Sequence, residues 1–246
     1  MQRLIGLVRR CVEDYDMISA GDRIAVGVSG GKDSLALLVF LAQLSKYNHN
    51  PFSVEAITID MGLGMDYSGI EKLCRQLDVP FTLVKTEIGP VIFDYRKEKN
   101  PCSMCAKMRR GALNQALLDR GLNKLALGHH YDDAVETFMM SLLYEGRISC
   151  FQPVTNLDRS GVIQIRPMLY IHEQTIDHFV AKQNLPVISN RCPVDKQTKR
   201  EEIKKLVYEL SARYPDLKER IFGAMQRLPL PEWEMKGRYK RPKDGI

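Results

Sequence analysis

Apolar residues fall into two rhythms along this chain. Asp22 to Ser29 (DRIAVGVS), Phe52 to Asp60 (FSVEAITID) and Pro80 to Thr86 (PFTLVKT) are short, nearly continuous apolar runs rich in branched residues. That is the pattern of strands buried on both faces. Asn123 to His130 (NKLALGHH) and Gly161 to Pro167 (GVIQIRP) add two more. Helical spacing fills the gaps, at Asp33 to Leu44, Tyr67 to Val79, Met104 to Arg120, Asp133 to Tyr144 and His172 to Gln183. Strand and helix alternate, which predicts an α/β fold with a doubly wound, mostly parallel sheet.

Both ends read differently. Residues 1–20 carry an amphipathic helix in which Arg3, Arg9, Arg10, Glu13 and Asp14 interrupt the apolar positions, so no export signal is read there. Residues 21–190 hold the α/β pattern. Residues 191–246 form a helical C-terminal extension, with Ile203, Leu206, Val207 and Leu210 on one apolar face, Tyr214 to Leu228 as a second helix, and a basic tail. The longest apolar run, Leu35 to Ala42, is far short of the roughly 20 residues of a membrane span, so no membrane partner is expected.

Charge and cysteine usage narrow the picture. The formal net charge is +6, with Lys196, Lys199, Arg200, Lys204 and Lys205 clustered and Lys236, Arg238, Lys240, Arg241 and Lys243 crowding the tail. This suits either a solvated end or an arm for a polyanion. Six cysteines in 246 residues, without the look of a disulfide scaffold, point to ligation or burial in a reducing compartment, hence the cytoplasm.

The strand ending at Ser29 runs into SGGKDS and then a helix. Glycines let the backbone approach an anion, the helix N-terminus offers unpaired N–H groups, and Lys32 adds a full charge. A Walker A loop is excluded, because Val26 stands where its first glycine belongs and Asp33 where Ser or Thr must follow the lysine. The dinucleotide fingerprint G-x-G-x-x-G does not fit either. SGGKDS resembles, residue for residue, the pyrophosphate loop of the N-type ATP pyrophosphatases, which have an adenine nucleotide alpha hydrolase-like fold. The resemblance implies that ATP is cut between its α and β phosphates. It also implies that Ser29, Gly30, Gly31, Lys32, Asp33 and Ser34 hold the phosphates and that Ile59 and Asp60 border the adenine.

Cys102 and Cys105 stand three apart in NPCSMCAKMRRG, where Pro101 suits the first helical position and a helix N-terminus favours thiolates. Cys192 lies in a loop-like stretch, SNRCPVD, while Cys11, Cys74 and Cys150 read as structural. Zinc, a redox pair and an iron-sulfur cluster all remain open to the first three; structural zinc usually has a fourth ligand, and three thiolates on a 4Fe-4S cluster leave one iron open. LGHHYDD sets Gly128, His129, His130, Asp132 and Asp133 at the C-terminal end of a strand, the edge where open α/β sheets bind ligands. Its paired carboxylates suit Mg²⁺, proton transfer or a helix cap, and the histidines are expected to shape a nucleotide pocket. Arg109, Arg110 and Arg147 suit surface ion pairs or an RNA backbone.

Taken together, SGGKDS, CSMCAKMRRGAL, LGHHYDDAVET, IRPMLY, a later cysteine before a basic helix, and RIFGAMQRLP resemble the tRNA 2-thiocytidine synthetase family over most of the chain. The resemblance implies a 4Fe-4S cluster on Cys102, Cys105 and Cys192, ATP and Mg²⁺ as further cofactors, and catalytic roles for Lys32, Asp33 and Asp132. It also implies tRNA as substrate, a sulfur donor such as a cysteine desulfurase, and a homodimer. One departure is that Cys192 is followed by Pro193, Val194 and Asp195, where well-known bacterial members carry a CxxC. A uridine thiolase of the same superfamily, an amidating ligase of lysidine or NAD synthetase type, and an ATP- or redox-sensing metal protein are the alternative readings.

Overall fold

A computed structural model describes residues 1–95, 101–157, 161–188 and 199–227 of the chain. The elements follow in order: α1 (Gln2–Asp14), β1 (Arg23–Gly27), α2 (Lys32–Tyr47), β2 (Ser53–Asp60), α3 (Ser68–Leu77) and β3 (Phe81–Lys85). A short turn α4 (Ile88–Pro90) runs into a π-helical turn (Val91–Tyr95). Then come α5 (Pro101–Asp119), β4 (Lys124–Ala126), α6 (Tyr131–Met140), a second π-helical turn (Ser141–Glu145), β5 (Val154–Leu157), β6 (Val162–Ile165), α7 (Glu173–Gln183), α8 (Lys199–Arg213) and α9 (Leu217–Arg227).

The six strands form one sheet in the order β3-β2-β1-β4-β6-β5. All neighbours are parallel except β5, which pairs antiparallel with β6 through Val154 opposite Ile165 and Leu157 opposite Val162. The predicted α/β sheet is therefore present, with one strand more than the sequence pattern predicts. Val154–Leu157 is a half-exposed edge strand of four residues, too short and too polar to show a period. The helix predicted at Asp133 to Tyr144 divides, its last turn becoming π-helical.

Strand alternation divides the core in two. Ile24, Val26 and Ala126 face one side, where α2 lies buried almost all round through Leu35, Leu37, Leu38, Phe40 and Leu41. A helix apolar on every side needs packing partners on every side, and α1, α3 and α7 supply them. Ile203 and Val207 of α8 and Phe222 and Met225 of α9 enter this same core. The opposite face carries Ala25, Ile57, Leu125 and Val162 and is covered by α5 through Ala116 and Leu117. Because α5 packs along β2 and β6, part of that face beside β5 is left as an open cavity.

Candidate active site

The phosphate loop is built at the C-terminal end of β1, at the point where neighbouring connections leave the sheet on opposite sides. Thr58 donates its hydroxyl to Val28 O at 2.8 Å, which ties the loop's first residue to β2. Gly30 has φ +88°, a left-handed conformation that excludes a side chain, and Ile188 N donates to its carbonyl at 3.0 Å. Ser34 donates its hydroxyl to Gly31 O at 2.8 Å and accepts Ser29 N at 3.2 Å, so the hydroxyl braces the loop from inside. Gly31 is the N-cap of α2, and no side chain caps that end. The first N–H groups of α2 are therefore open to an anion. Gly128, beyond the end of β4, lets the two segments touch: a Cβ there would stand 3.1 Å from Asp33 C and Ser34 N.

Two acids on α7 hold the loop's lysine. Lys32 Nζ lies 2.8 Å from Glu173 Oε1 and 2.5 Å from Asp177 Oδ1. Burial opposes its charge, but these hydrogen bonds outweigh that and raise its pKa above the ordinary value. Lys204 sits 2.7 Å from the other oxygen of Glu173. Burial works against the Glu173 charge, yet the two lysines take its pKa down to about 2. Asp33 is the contrasting carboxylate. Its Oδ1 is buried without a hydrogen-bond partner, and burial pushes its pKa up despite the nearby His130 and Lys32.

The acid pair of LGHHYDD is divided between two helices. Asp133 closes a capping box on α6, accepting His130 N at 3.0 Å while its own N–H donates to His130 Nδ1 at 3.4 Å; it also accepts Arg200 at 2.8 Å. Asp132 reaches the other way. Its Oδ2 accepts Glu173 N, the first residue of α7, at 2.7 Å, and its Oδ1 lies 2.5 Å from Lys218 of α9. Burial disfavours the Asp132 charge, but Lys218 and the α7 N–H prevail and lower its pKa. Arg200 and Lys204 of the basic cluster are thus paired with acids, whereas Lys196 and the tail beyond Arg227 lie outside the described residues.

His129 is separated from its neighbour. Gly128 faces the phosphate loop, while the His129 ring lies 4.8 Å from Phe151 and lines the cavity on the α5 side. Burial and then the positive charge of Arg166 pull its pKa down to about 4, so the ring is neutral. Ile59 and Asp60 end β2. Asp60 Oδ1 accepts Gly62 N at 3.0 Å and lies 3.5 Å from the Tyr67 hydroxyl.

Cys102 and Cys105 both fall in the first turn of α5, where Cys105 is half-buried. Residues three apart on a helix are neighbours on one face, and the N-terminal dipole favours thiolates. The pair fits a thiolate-bound metal group on those grounds. Cys192 and the side chain of Cys102 lie outside what is described. Among the described residues, no three His, Cys, Asp or Glu converge on one metal position. Cys11 and Cys74 are buried, and Cys150 donates to Ala134 O at 3.5 Å; burial pushes the Cys74 thiol to about 11 and the Cys150 thiol to about 12.

Sequence reasoning missed Glu173, Asp177, Lys218 and Arg166. The first two were signalled only as acids in the opening turns of a predicted helix; Arg166 was signalled as a charge at the end of an apolar strand.

A mostly parallel sheet with an uncapped, glycine-bearing loop opening α2 marks a nucleotide-binding α/β protein, and a family model described as "PP-loop domain" matches residues 7–210. Curated relatives narrow this. A tRNA-cytidine(32) 2-sulfurtransferase of Pelobacter propionicus is 36% identical over 92% of this chain and 86% of its own length. One from Legionella pneumophila is 33% identical over 92% of this chain and 81% of its own. The chain belongs to the tRNA-cytidine(32) 2-sulfurtransferase family of PP-loop proteins. Among solved structures, the U34-tRNA thiolase of Methanococcus maripaludis, determined with its [4Fe-4S] cluster, matches with a TM-score of 0.73 and 26% identity over 94% of this chain and 80% of its own.

Proposed function

We propose that this protein is an ATP-dependent tRNA sulfurtransferase that converts cytidine at position 32 into 2-thiocytidine. The observation that carries the reading is the match, over 92% of the chain, to a relative of that name. The pyrophosphate loop and the paired cysteines of α5 are the parts such chemistry needs.

A pyrimidine carbonyl oxygen is a poor leaving group, so it must be activated first. In this reading the C2 oxygen attacks the α phosphorus of ATP and pyrophosphate departs. Sulfur then adds at C2, and AMP leaves with the former carbonyl oxygen. Ser29 to Ser34 hold the phosphates. Lys32, released from Glu173 and Asp177, takes up the charge that builds on them, as preorganised donors do in a water-poor site. Asp33, whose Oδ1 has no hydrogen-bond partner, is the residue offered to Mg²⁺. Ile59 and Asp60 border the adenine, and Gly128 and His129 close the other side of the nucleotide pocket. Asp132 acts through position, anchoring the start of α7 and hence Glu173.

Cys102, Cys105 and Cys192 are the residues that hold a 4Fe-4S cluster, the group borne by the M. maripaludis thiolase. When bound, it supplies iron with a coordination position open to sulfur. A sulfur donor such as a cysteine desulfurase, a homodimeric assembly and a cytoplasmic location belong to the same reading. No described helix is long and apolar enough to cross a membrane. The segments 1–20, 21–190 and 191–246 serve as an N-terminal helix, the ATP pyrophosphatase unit and a helical C-terminal extension with a basic tail.

Mass analysis of tRNA nucleosides from a strain lacking the gene tests this directly. 2-Thiocytidine should be absent. An unchanged profile overturns the reading, and loss of 2-thiouridine instead assigns the uridine alternative.

A further inference from the structure

The open cavity beside α5 is built unlike the rest of the surface. It measures about 780 Å³, within the range of small-ligand pockets and far larger than an inorganic anion needs. Alternate residues of a strand point to opposite faces. Leu125, Leu127 and His129 accordingly line the cavity, while Ala126 faces α2 and Gly128 meets the phosphate loop. The cavity and the loop are thus on opposite sides of one backbone, a single residue apart.

Its charge is one-sided. Arg109 and Arg110 of α5 line one wall, Arg166 another, and among the described residues no acidic side chain lines it. Arg166 is only 6% exposed, yet its partners are neutral: it donates to Gln152 O and, at 3.0 Å, to the Thr155 hydroxyl. Its Nε is buried with no partner at all. A buried cation normally has an acid beside it. Among the described residues Arg166 has no ion pair, so its guanidinium keeps a field that a ligand's acceptor atom can use.

The remaining wall is aromatic. The Arg166 guanidinium stands 5.0 Å from the centre of the Phe151 ring, which stands 4.8 Å from the His129 ring, whose Nδ1 is buried and unpartnered. Arg109 and Arg110 lie one turn beyond Cys105 on α5, and Ala106 beside that cysteine lines the same cavity. The charge of Arg109 also acts on Tyr67, which neighbours Asp60.

We propose that this cavity receives the everted target nucleotide of the RNA. Its base lies against His129 and Phe151, its carbonyl oxygen faces the field of Arg166, and its flanking phosphates rest on Arg109 and Arg110. Stacking on aromatic and guanidinium planes is how single-stranded bases are held, and cationic side chains track their backbone. The placement sets the base beside the first turns of α5, one residue along the backbone from the glycine that meets the phosphate loop. The inference rests on the tRNA reading above.

The test uses the full chain, purified anaerobically, and an anticodon stem-loop RNA carrying a fluorescent pyrimidine analogue at position 32. The Arg109→Ala/Arg110→Ala double variant changes exposed side chains only, so its folding is not at risk. It should bind the RNA about tenfold more weakly, with the slope of log affinity against log salt shallower by about 1.4, the value for two single-strand phosphates. Phe151→Leu should lose the fluorescence change that marks base capture and bind about tenfold more weakly. ATP affinity should stay at the unsubstituted value in both. RNA affinity, salt slope and fluorescence all unchanged in both variants overturn the proposal. Unchanged RNA binding with impaired uptake of sulfur from a donor also overturns it and assigns the cavity to the donor. If the unsubstituted chain binds no stem-loop RNA, the tRNA reading itself falls.

Discussion

Lys32 Nζ lies 2.8 Å from Glu173 Oε1, so the lysine of the phosphate loop is tied to a helix 141 residues further along the chain. Two acids thus occupy the charge that ATP would use. Asp177 is the more exposed of them, at 51%, and an exposed ion pair contributes about 0–1 kcal/mol. Asp177→Asn should therefore tighten ATP binding by at most about fivefold. Lys32→Ala should weaken it by about tenfold to a hundredfold, the range of a hydrogen bond to a charged group. Calorimetric titration with ATP measures both.

Glu173 also makes acid stability predictable. Its folded pKa of about 2 lies below its ordinary 4.5. A carboxylate with a depressed pKa adds stability that is complete above the unfolded value and disappears as pH falls through the folded one. The stability difference between the natural chain and Glu173→Gln should be constant above about pH 4.5 and shrink towards pH 2. Denaturant unfolding at stepped pH reads it.

Gly128 stands against the start of α2 so closely that its missing Cβ is a structural requirement. The atoms it would meet, Asp33 C and Ser34 N, are backbone and cannot rotate aside. Gly128→Ala should cost about 1–3 kcal/mol, as overpacking does. It should also displace the loop, so thermal unfolding and ATP titration should both register the change.

The strands at Asp22 to Ser29 and Phe52 to Asp60 were legible because burial on both faces leaves an uninterrupted apolar run, and the loop was legible because six residues carry it. β5 left no such trace, being a four-residue edge strand exposed on one side. Acids were legible as acids but not as partners. Nothing local distinguishes Asp132 from Asp133, yet one caps α7 and the other α6, because the direction each side chain takes depends on where α7 and α9 pack. The partners of Lys32 were hidden for the same reason: Glu173 lies far off in sequence and is brought in only by the crossing of α7 over α2.

Asp132 joins α6, α7 and α9 through one buried carboxylate. Removing the carboxylate leaves the Glu173 N–H without its acceptor, at a cost of about 1–3 kcal/mol. Asp132→Ala should lose stability on that scale and lose thiolation with it. Asp132→Asn keeps an oxygen to accept Glu173 N and should recover a large part of both. A group acting directly on the reacting atoms would lose turnover in either variant with stability intact, so unfolding curves measured alongside single-turnover thiolation separate the two roles.

The cysteines of α5 can be separated from the nucleotide site by the same logic. Cys102 and Cys105 open a helix on the face of the sheet opposite α2, whereas the phosphate loop is braced by Ser29, Ser34, Thr58 and Gly128. Anaerobic preparations should contain about four irons per chain and absorb broadly near 400 nm, as expected of a thiolate-bound cluster. Cys105→Ser should lower the iron content and bleach that absorbance while ATP titrates as before, and thiolation should stop. A colourless, zinc-loaded protein with undiminished thiolation would remove the cluster from the mechanism. Loss of ATP binding in Cys105→Ser would mean that the thiols and the loop form one cooperative unit across the sheet.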